Sequence, residues 1–230
     1  MRRAHLVIFA RRPAFGVGKR RLAAGIGELG ALRFQRLALA QLLRRLGGDR
    51  RWRTWLAVSP DRPSAWMTAA AAVPQGGGDL GERLIRVFGG LPPGPAVVIG
   101  ADAPQVRGCD IAVAFRKLGS NDAVFGPAAD GGFWLLGLGR RELIKRTVRD
   151  VRWSSANALA DTLANLRGRR VGILRCLEDV DDGASYARVL SAERRCLTFV
   201  PFPILAPVEA QCSRPALADC GDGAIAAPGR

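Results

Sequence analysis

The sequence predicts an α/β fold, a mostly parallel sheet with helices on both faces. Three observations carry this expectation. Two runs, HLVIFA at 5–10 and AVVIG at 96–100, are uninterruptedly apolar, as strands buried on both faces must be. Segments with helical apolar spacing separate these and the shorter strand-like runs. Glycine, proline and charge collect in the loops after the apolar runs, where an α/β sheet binds its ligands.

His5–Ala10 is the first strand, followed by a basic, glycine-containing loop to Arg21. Residues 28–46 read as a helix: Leu29, Leu32, Leu39, Leu42, Leu43 and Leu46 form one stripe, with Arg33, Arg36, Arg44 and Arg45 mostly off it. Gly47 and Gly48 stop it. Trp55–Val58 is a strand, SPDRPS a turn, and a short helix leads to the loop Pro74–Gly78. Leu80–Phe88 is a helix closed by Gly89 and Gly90, and Ala96–Gly100 is a central strand. A helix at 110–118 follows, then strands Ala123–Phe125 and Phe133–Leu138 flanking GPAADGG. Helices at 141–147 and 156–166 precede the strand Val171–Leu174, the acidic turn EDVDD and a helix to about 194. Residues 1–195 thus form one domain, and the Pro-, Ala- and Gly-rich stretch 196–230 is expected to be a weakly structured appendage.

The chain has 230 residues, 48% hydrophobic and 24% charged, which is globular composition with ample length for a core. Its formal charge of +15 points to an anionic partner or to a compositional bias. Only Lys19, Lys117 and Lys145 are lysines and the arginines are spread throughout, which favours bias. Aromatic residues, 7% of the chain, do not interleave with the basic runs, so nucleic acid is not an expected partner. No stretch approaches the roughly 18 apolar residues of a membrane span. MRRAHLVIFARRP imitates a signal peptide, but its apolar part ends at Arg11 and Arg12, so the chain reads as cytoplasmic with no membrane partner. Five cysteines without a CxxC pair exclude a disulfide framework and a structural zinc site. The single His5 sits inside a strand pattern, so histidine-based catalysis is not expected. Any metal is then a hard cation on carboxylates, Mg2+ or Mn2+.

Five segments carry candidate chemistry. RRPAFGVGKRRL at 11–22 pairs Gly16 and Gly18 with Arg11, Arg12, Lys19, Arg20 and Arg21. Glycine admits close backbone approach and the cations supply charge for phosphates, although the loop lacks P-loop spacing. Asp102 in Gly100-Ala101-Asp102-Ala103-Pro104 follows a buried strand and suits a divalent cation, or else caps a helix. Asp130, before Gly131 and Gly132, is a second ligand, a substrate contact or a hairpin turn. Asp79 in GGGDLGER is a helix cap with Glu82, at a helix start that could also receive an anion or a ribose. The acidic run Glu178-Asp179-Val180-Asp181-Asp182 adds a carboxylate or is a solvated turn.

The motifs FARRPAFGVGKRRL, QGGGDLGERL, VVIGADAP, GPAADGGFWLLGL and VRWSSANAL, in this order, resemble a bacterial family of glycosyltransferase-A-like proteins over about residues 4–190. The family is catalogued as domain of unknown function 2064, or radical-SAM/selenodomain-associated transferase. It is similar to phospholactate guanylyltransferase and the molybdenum-cofactor nucleotidyltransferases. The resemblance implies the nucleotide-diphospho-sugar transferase fold, a Rossmann-like three-layer sandwich, with a nucleotide and a divalent metal as ligands. The family pattern FAKxPxPGxxKTRL is matched at Phe9, Ala10, Pro13, Gly16, Lys19, Arg21 and Leu22, with Arg11 and Arg20 replacing Lys and Thr. GDLGERM falls on Gly78–Arg83, and the Asp of GSDxP on Asp102. PAxDGGYYLIGL falls on Asp130, Gly131 and Gly132, with Phe133 and Trp134 in place of two tyrosines. PWST falls on Arg152-Trp153-Ser154-Ser155, and the later Asp of DVDTPEDL is Ser185 here, leaving Asp181 as the acidic ligand from this end.

The expected reaction is nucleotidyl transfer from a nucleoside triphosphate to a phosphorylated small-molecule acceptor, with pyrophosphate leaving. Lys19, Arg21 and Asp102 are the expected catalytic residues. Ala10, Arg11, Gly16, Gly18, Lys19, Gly78, Asp79 and Gly81 would bind the nucleotide, and Asp130, Gly131, Gly132, Trp153 and Ser154 the substrate. Asp102, Asp130 and Asp181 would hold Mg2+ or Mn2+. A sugar-nucleotide-dependent glycosyltransferase is the alternative, and a catalytically degenerate nucleotide- or nucleic-acid-binding protein a second.

Overall fold

A computed structural model describes residues 3–62 and 70–195. Most of the expected short helix before Pro74 falls on residues 63–69, outside this range, as does the appendage 196–230; the last part of that expected helix is instead a strand at Ala71–Ala72, paired to Trp55 and Leu56. Seven strands are described: β1 (Ala4–Arg11), β2 (Trp52–Ser59), β3 (Ala71–Ala72), β4 (Ala96–Gly100), β5 (Ala123–Pro127), β6 (Phe133–Leu138) and β7 (Val171–Ile173). The helices are α1 (Arg20–Gly47), α2 (Leu80–Gly90), α3 (Gly108–Leu118), α4 (Ile144–Thr147), α5 (Ala158–Asn165) and α6 (Gly183–Arg195). A 3-10 turn, Arg141–Leu143, leads into α4.

The strands form one sheet in the order β3-β2-β1-β4-β6-β5-β7, and only β6 runs against its neighbours. Its direction follows from its connection. Residues 128–132 between β5 and β6 are far too few for a parallel crossover, so the two strands close a hairpin.

Alternate residues of β1 serve opposite faces. Leu6 and Ile8 join α1 and α3 in one core, while Val7 joins α2, α4 and β6 in the other. That is why the strand is apolar without a break. The result is a three-layer sandwich. No described helix is long and apolar enough to cross a membrane.

The sequence misplaces one helix start. α1 begins at Arg20 rather than 28 and kinks at Gly27, whose φ of 77° no helix residue adopts. The apolar stripe changes phase there. Leu29 is 51% exposed, and Ala31, Phe34 and Ala38 take the inward positions. The first segment packs with these three: Leu22 and Ala23 share a satellite core with Ala31, Phe34, Ala38, Val180 and Val189, apart from the core that holds Leu39 and Leu42. This satellite core fixes the loop before α1 against the segment before α6.

Candidate active site

β1 and β4 are adjacent and parallel, with Phe9 opposite Gly100, so the loops that leave them share one edge of the sheet. The loop after β1 turns through Gly16 and Gly18 and ends at Lys19, a non-glycine residue at φ 47°. Such backbone conformations persist only where surrounding contacts hold them. Here the contacts are ionic. The Lys19 ammonium donates to the Val180 carbonyl at 2.7 Å and to Asp181 Oδ1 at 2.6 Å, and lies 3.1 Å from Asp102 Oδ2. Burial alone would lower the Lys19 pKa, but Asp102 and Asp181 outweigh it and hold the group above its ordinary value. Exposed Arg21 lies 3.8 Å from Asp181.

The acidic partners arrive from the far end of the chain. After β7, residues 174–182 return across the strand ends, with Leu177 N–H donating to Pro127 and Val180 N–H to the Asp102 carbonyl at 3.1 Å. This return sorts the acidic run. Asp181 faces Lys19, whereas Asp179 turns inward and its Oδ1 is buried without a hydrogen-bond partner among the described residues. Burial, then repulsion from Asp102 and Asp130, pushes the Asp179 carboxyl up to about 7. Sequence reading did not select Asp179, because adjacent acids in a turn look alike. Ser185, in place of the family's acid, is buried in the cap of α6. Its Oγ accepts from the N–H groups of Asp181 and Asp182, and its own N–H donates to Asp182. The residue at 185 shapes the turn that presents Asp181.

At α2, Asp79 and Glu82 form the expected capping box. Two residues absent from the expected set stand beside it. Gln75 is 1% exposed, and Arg83 reaches across to Ser59 Oγ at 3.0 Å. A lone glutamine before a glycine run was the available signal for the first, and its place in the motif at Gly78–Arg83 was the signal for Arg83.

In the β5–β6 hairpin, Asp130 Oδ1 accepts from Gly132 N–H at 2.9 Å, so it forms the turn while acting through space on Asp179. Gly131 lies at φ 86°; its carbonyl accepts from Leu159 N–H, and a Cβ here would collide with the Ala156 carbonyl. Gly131→Ala is therefore expected to cost about 3 kcal/mol, read as a lower urea midpoint with an unchanged slope. Trp153 packs edge-on against Phe133 and above Gly81.

These elements enclose a cleft of about 760 Å³. Of the expected residues, Ala10, Arg11, Gly18, Lys19, Arg21, Gly78, Asp79, Asp102, Trp153, Ser154 and Asp181 line it. Gly16, Gly81, Asp130, Gly131 and Gly132 do not: the first sits at a loop tip, Gly81 lies under Trp153, and the others form the hairpin turn. His5 is at the opposite end of β1, bonded to Trp55, and burial lowers its pKa, so it takes no part in the cleft.

Asp102 and Asp181 hold one cation, the Lys19 ammonium, between hard oxygen donors, and Asp179 Oδ1 is an unsatisfied oxygen nearby. This donor set fits Mg2+ or Mn2+. As they stand, no three His, Cys, Asp or Glu side chains among the described residues converge as a ready metal cage.

Residues 42–155 match the model of a family described as "Uncharacterized protein conserved in bacteria (DUF2064)". Over that stretch, just under half of its length, the chain is similar to this family. No curated protein matches the chain in sequence. Among solved structures it is similar to a provisionally named nucleotide-diphospho-sugar transferase from Desulfovibrio desulfuricans G20, at 23% identity and TM-score 0.75, covering 84% of this chain and 89% of that one. It is also similar to CMP:2-keto-3-deoxy-manno-octonic acid synthetase complexed with CTP, at 13% identity and TM-score 0.54, over 84% and 99% of the two chains. A third is the manganese complex of Rv0371C from Mycobacterium tuberculosis H37Rv, at 16% identity and TM-score 0.52, over 83% and 100%. At these identities the likeness establishes the fold. The chain has the nucleotide-diphospho-sugar transferase architecture.

Proposed function

We propose that this protein is a divalent-metal-dependent nucleotidyltransferase that joins a nucleoside triphosphate to a phosphorylated small molecule. The observation that carries the reading is the Lys19 ammonium held between Asp102 and Asp181 at the mouth of the cleft. Cation and carboxylates at adjoining strand ends are what a metal-nucleotide complex requires. The neighbours bound to CTP and to manganese support the same ligand classes.

In this reading a phosphate oxygen of the acceptor attacks the α-phosphorus, the bond to the β-phosphate oxygen breaks, and pyrophosphate leaves. The nucleophile is already ionised at neutral pH, so the chain need not supply a base, which suits a cleft without histidine. Lys19 and Arg21 orient and neutralise the triphosphate, and positioning and charge stabilisation supply the rate. Asp102 and Asp181 would hold the cation, which when bound neutralises charge on the phosphates and the leaving group.

A nucleoside triphosphate with Mg2+ is expected to raise the melting temperature by at least about 3 °C, and EDTA to abolish the rise. No shift with any of the common triphosphates would remove the reading. One observation favours glycosyl transfer as a second possibility. The fold is shared, at TM-score 0.75, with a structure provisionally named a nucleotide-diphospho-sugar transferase. Product analysis separates the two, pyrophosphate marking the first and a nucleoside diphosphate the second.

A further inference from the structure

The start of α2 has the look of an anion site, yet its donors are engaged internally. Asp61 accepts the N–H groups of Gln75 at 2.7 Å and Gly76 at 2.9 Å. Glu82 accepts that of Asp79 at 3.1 Å, and Asp79 that of Glu82 at 2.8 Å. With those backbone donors spent and Asp79 lining the cleft, this end offers phosphate little, whereas Lys19 and Arg21, with a cation held on Asp102 and Asp181, can take it at the other end. A nucleotide in the cleft therefore lies with its phosphates by Lys19 and its nucleoside against α2, an orientation that rests on the nucleotide reading above.

Arg83 meets the nucleoside there. Its Nε donates to the Gly78 carbonyl at 2.9 Å, and its Nη1 to Ser59 Oγ at 3.0 Å and Gln75 Oε1 at 3.5 Å. Gln75 cannot turn its amide round, because Nε2 is fixed on the carbonyls of Ala10 at 2.9 Å and Ala57 at 2.7 Å. The buried glutamine thus aims an acceptor at the guanidinium and sets its plane. Arg83 lines the cleft, and its Nη2 bonds to no described residue. A guanidinium only donates, so this fixed edge matches acceptors and opposes donors.

We infer that Arg83 is a specificity-determining residue that reads a ring carbonyl of the nucleobase, selecting oxo bases such as guanine, hypoxanthine or uracil against adenine. Adenine places an amino donor where guanine and hypoxanthine place O6. A donor facing a donor in a desolvated wall leaves both unsatisfied.

The test is calorimetric titration of the full-length protein with GTP, ITP, UTP and ATP, each with Mg2+. The expected result is affinity at least about tenfold higher for the three oxo-base nucleotides than for ATP. In Arg83→Gln, whose amide offers either a donor or an acceptor, the ratio should fall below about threefold without a loss of ATP affinity. A wild-type protein that binds ATP as well as ITP overturns the inference and leaves the nucleotide function standing, a result that needs no variant to fold. A folded Arg83→Gln that keeps the full preference also overturns it. If none of the four binds, the nucleotide reading itself fails and this inference with it.

Discussion

Lys19→Ala is expected to lower turnover at least about a hundredfold, the ~3 kcal/mol typical of one preorganised charge contact with a transition state. The prediction is strong because no other cation among the described residues shares the Lys19 position. Its side chain is 10% exposed, and it touches both Asp102 and Asp181 while Arg21 only approaches one of them from solvent. The same variant leaves two carboxylates facing each other uncompensated. Because both are partly exposed, solvent screens them, and the loss of stability should be about 1–2 kcal/mol. Added Mg2+ should restore the melting temperature of Lys19→Ala more than it raises that of the wild type, since a divalent cation can replace the missing ammonium between the same oxygens. Asp102→Asn should show the turnover loss without the Mg2+ rescue. Unchanged turnover in both variants would remove the site assignment.

The elements that dominate the fold were legible where burial leaves one reading. His5–Ala10 and Ala96–Gly100 are apolar on every residue because both faces of the sheet are covered. The start of α2 is written locally, in Asp79 and Glu82. The start of α1 is not. Leu22 and Ala23 follow no stripe shared with Leu39 and Leu42, because they pack on Val180 and Val189, which come from the other end of the domain. The site divides in the same way. Lys19 and Asp102 stand on loops that follow apolar strands, and the parallel pairing of β1 with β4 brings the two loops to one edge of the sheet. Asp179 and Asp181 look equivalent in a five-residue acidic turn, and only the return of residues 174–182 over the strand ends separates an outward ligand from an inward one. For Gln75 the sequence shows a lone glutamine before a glycine run and no more, since its role lies in two backbone carbonyls from different strands.

The inward carboxylate gives the second large effect. Asp179 has an ordinary pKa of 3.8 and is raised to about 7 in the folded chain, by burial first and by Asp102 and Asp130 second. The sign follows from proton counts. Below about pH 4 the group is protonated whether or not the chain is folded, and its relative contribution to stability is fully present. Between about 4 and 7 the unfolded chain has released the proton and the folded chain has kept it, so stability falls by about 1.4 kcal/mol per pH unit. Above about 7 both states are ionised and the loss levels off, at up to about 4 kcal/mol. Asp179→Asn removes the charge and should therefore be more stable than wild type in urea unfolding at pH 8, with the two curves converging towards pH 4. The gain will be smaller than the full figure, because an asparagine amide at the same place also needs partners. Parallel pH profiles for the two proteins would show that Asp179 is not held against its charge. Asp179 also lies within electrostatic reach of Asp102, Lys19 and Asp181, so removing its charge changes the field on the pair that grips Lys19. Asp179→Asn should accordingly lose turnover as it gains stability, and a variant both more stable and fully active would separate Asp179 from the chemistry of the cleft.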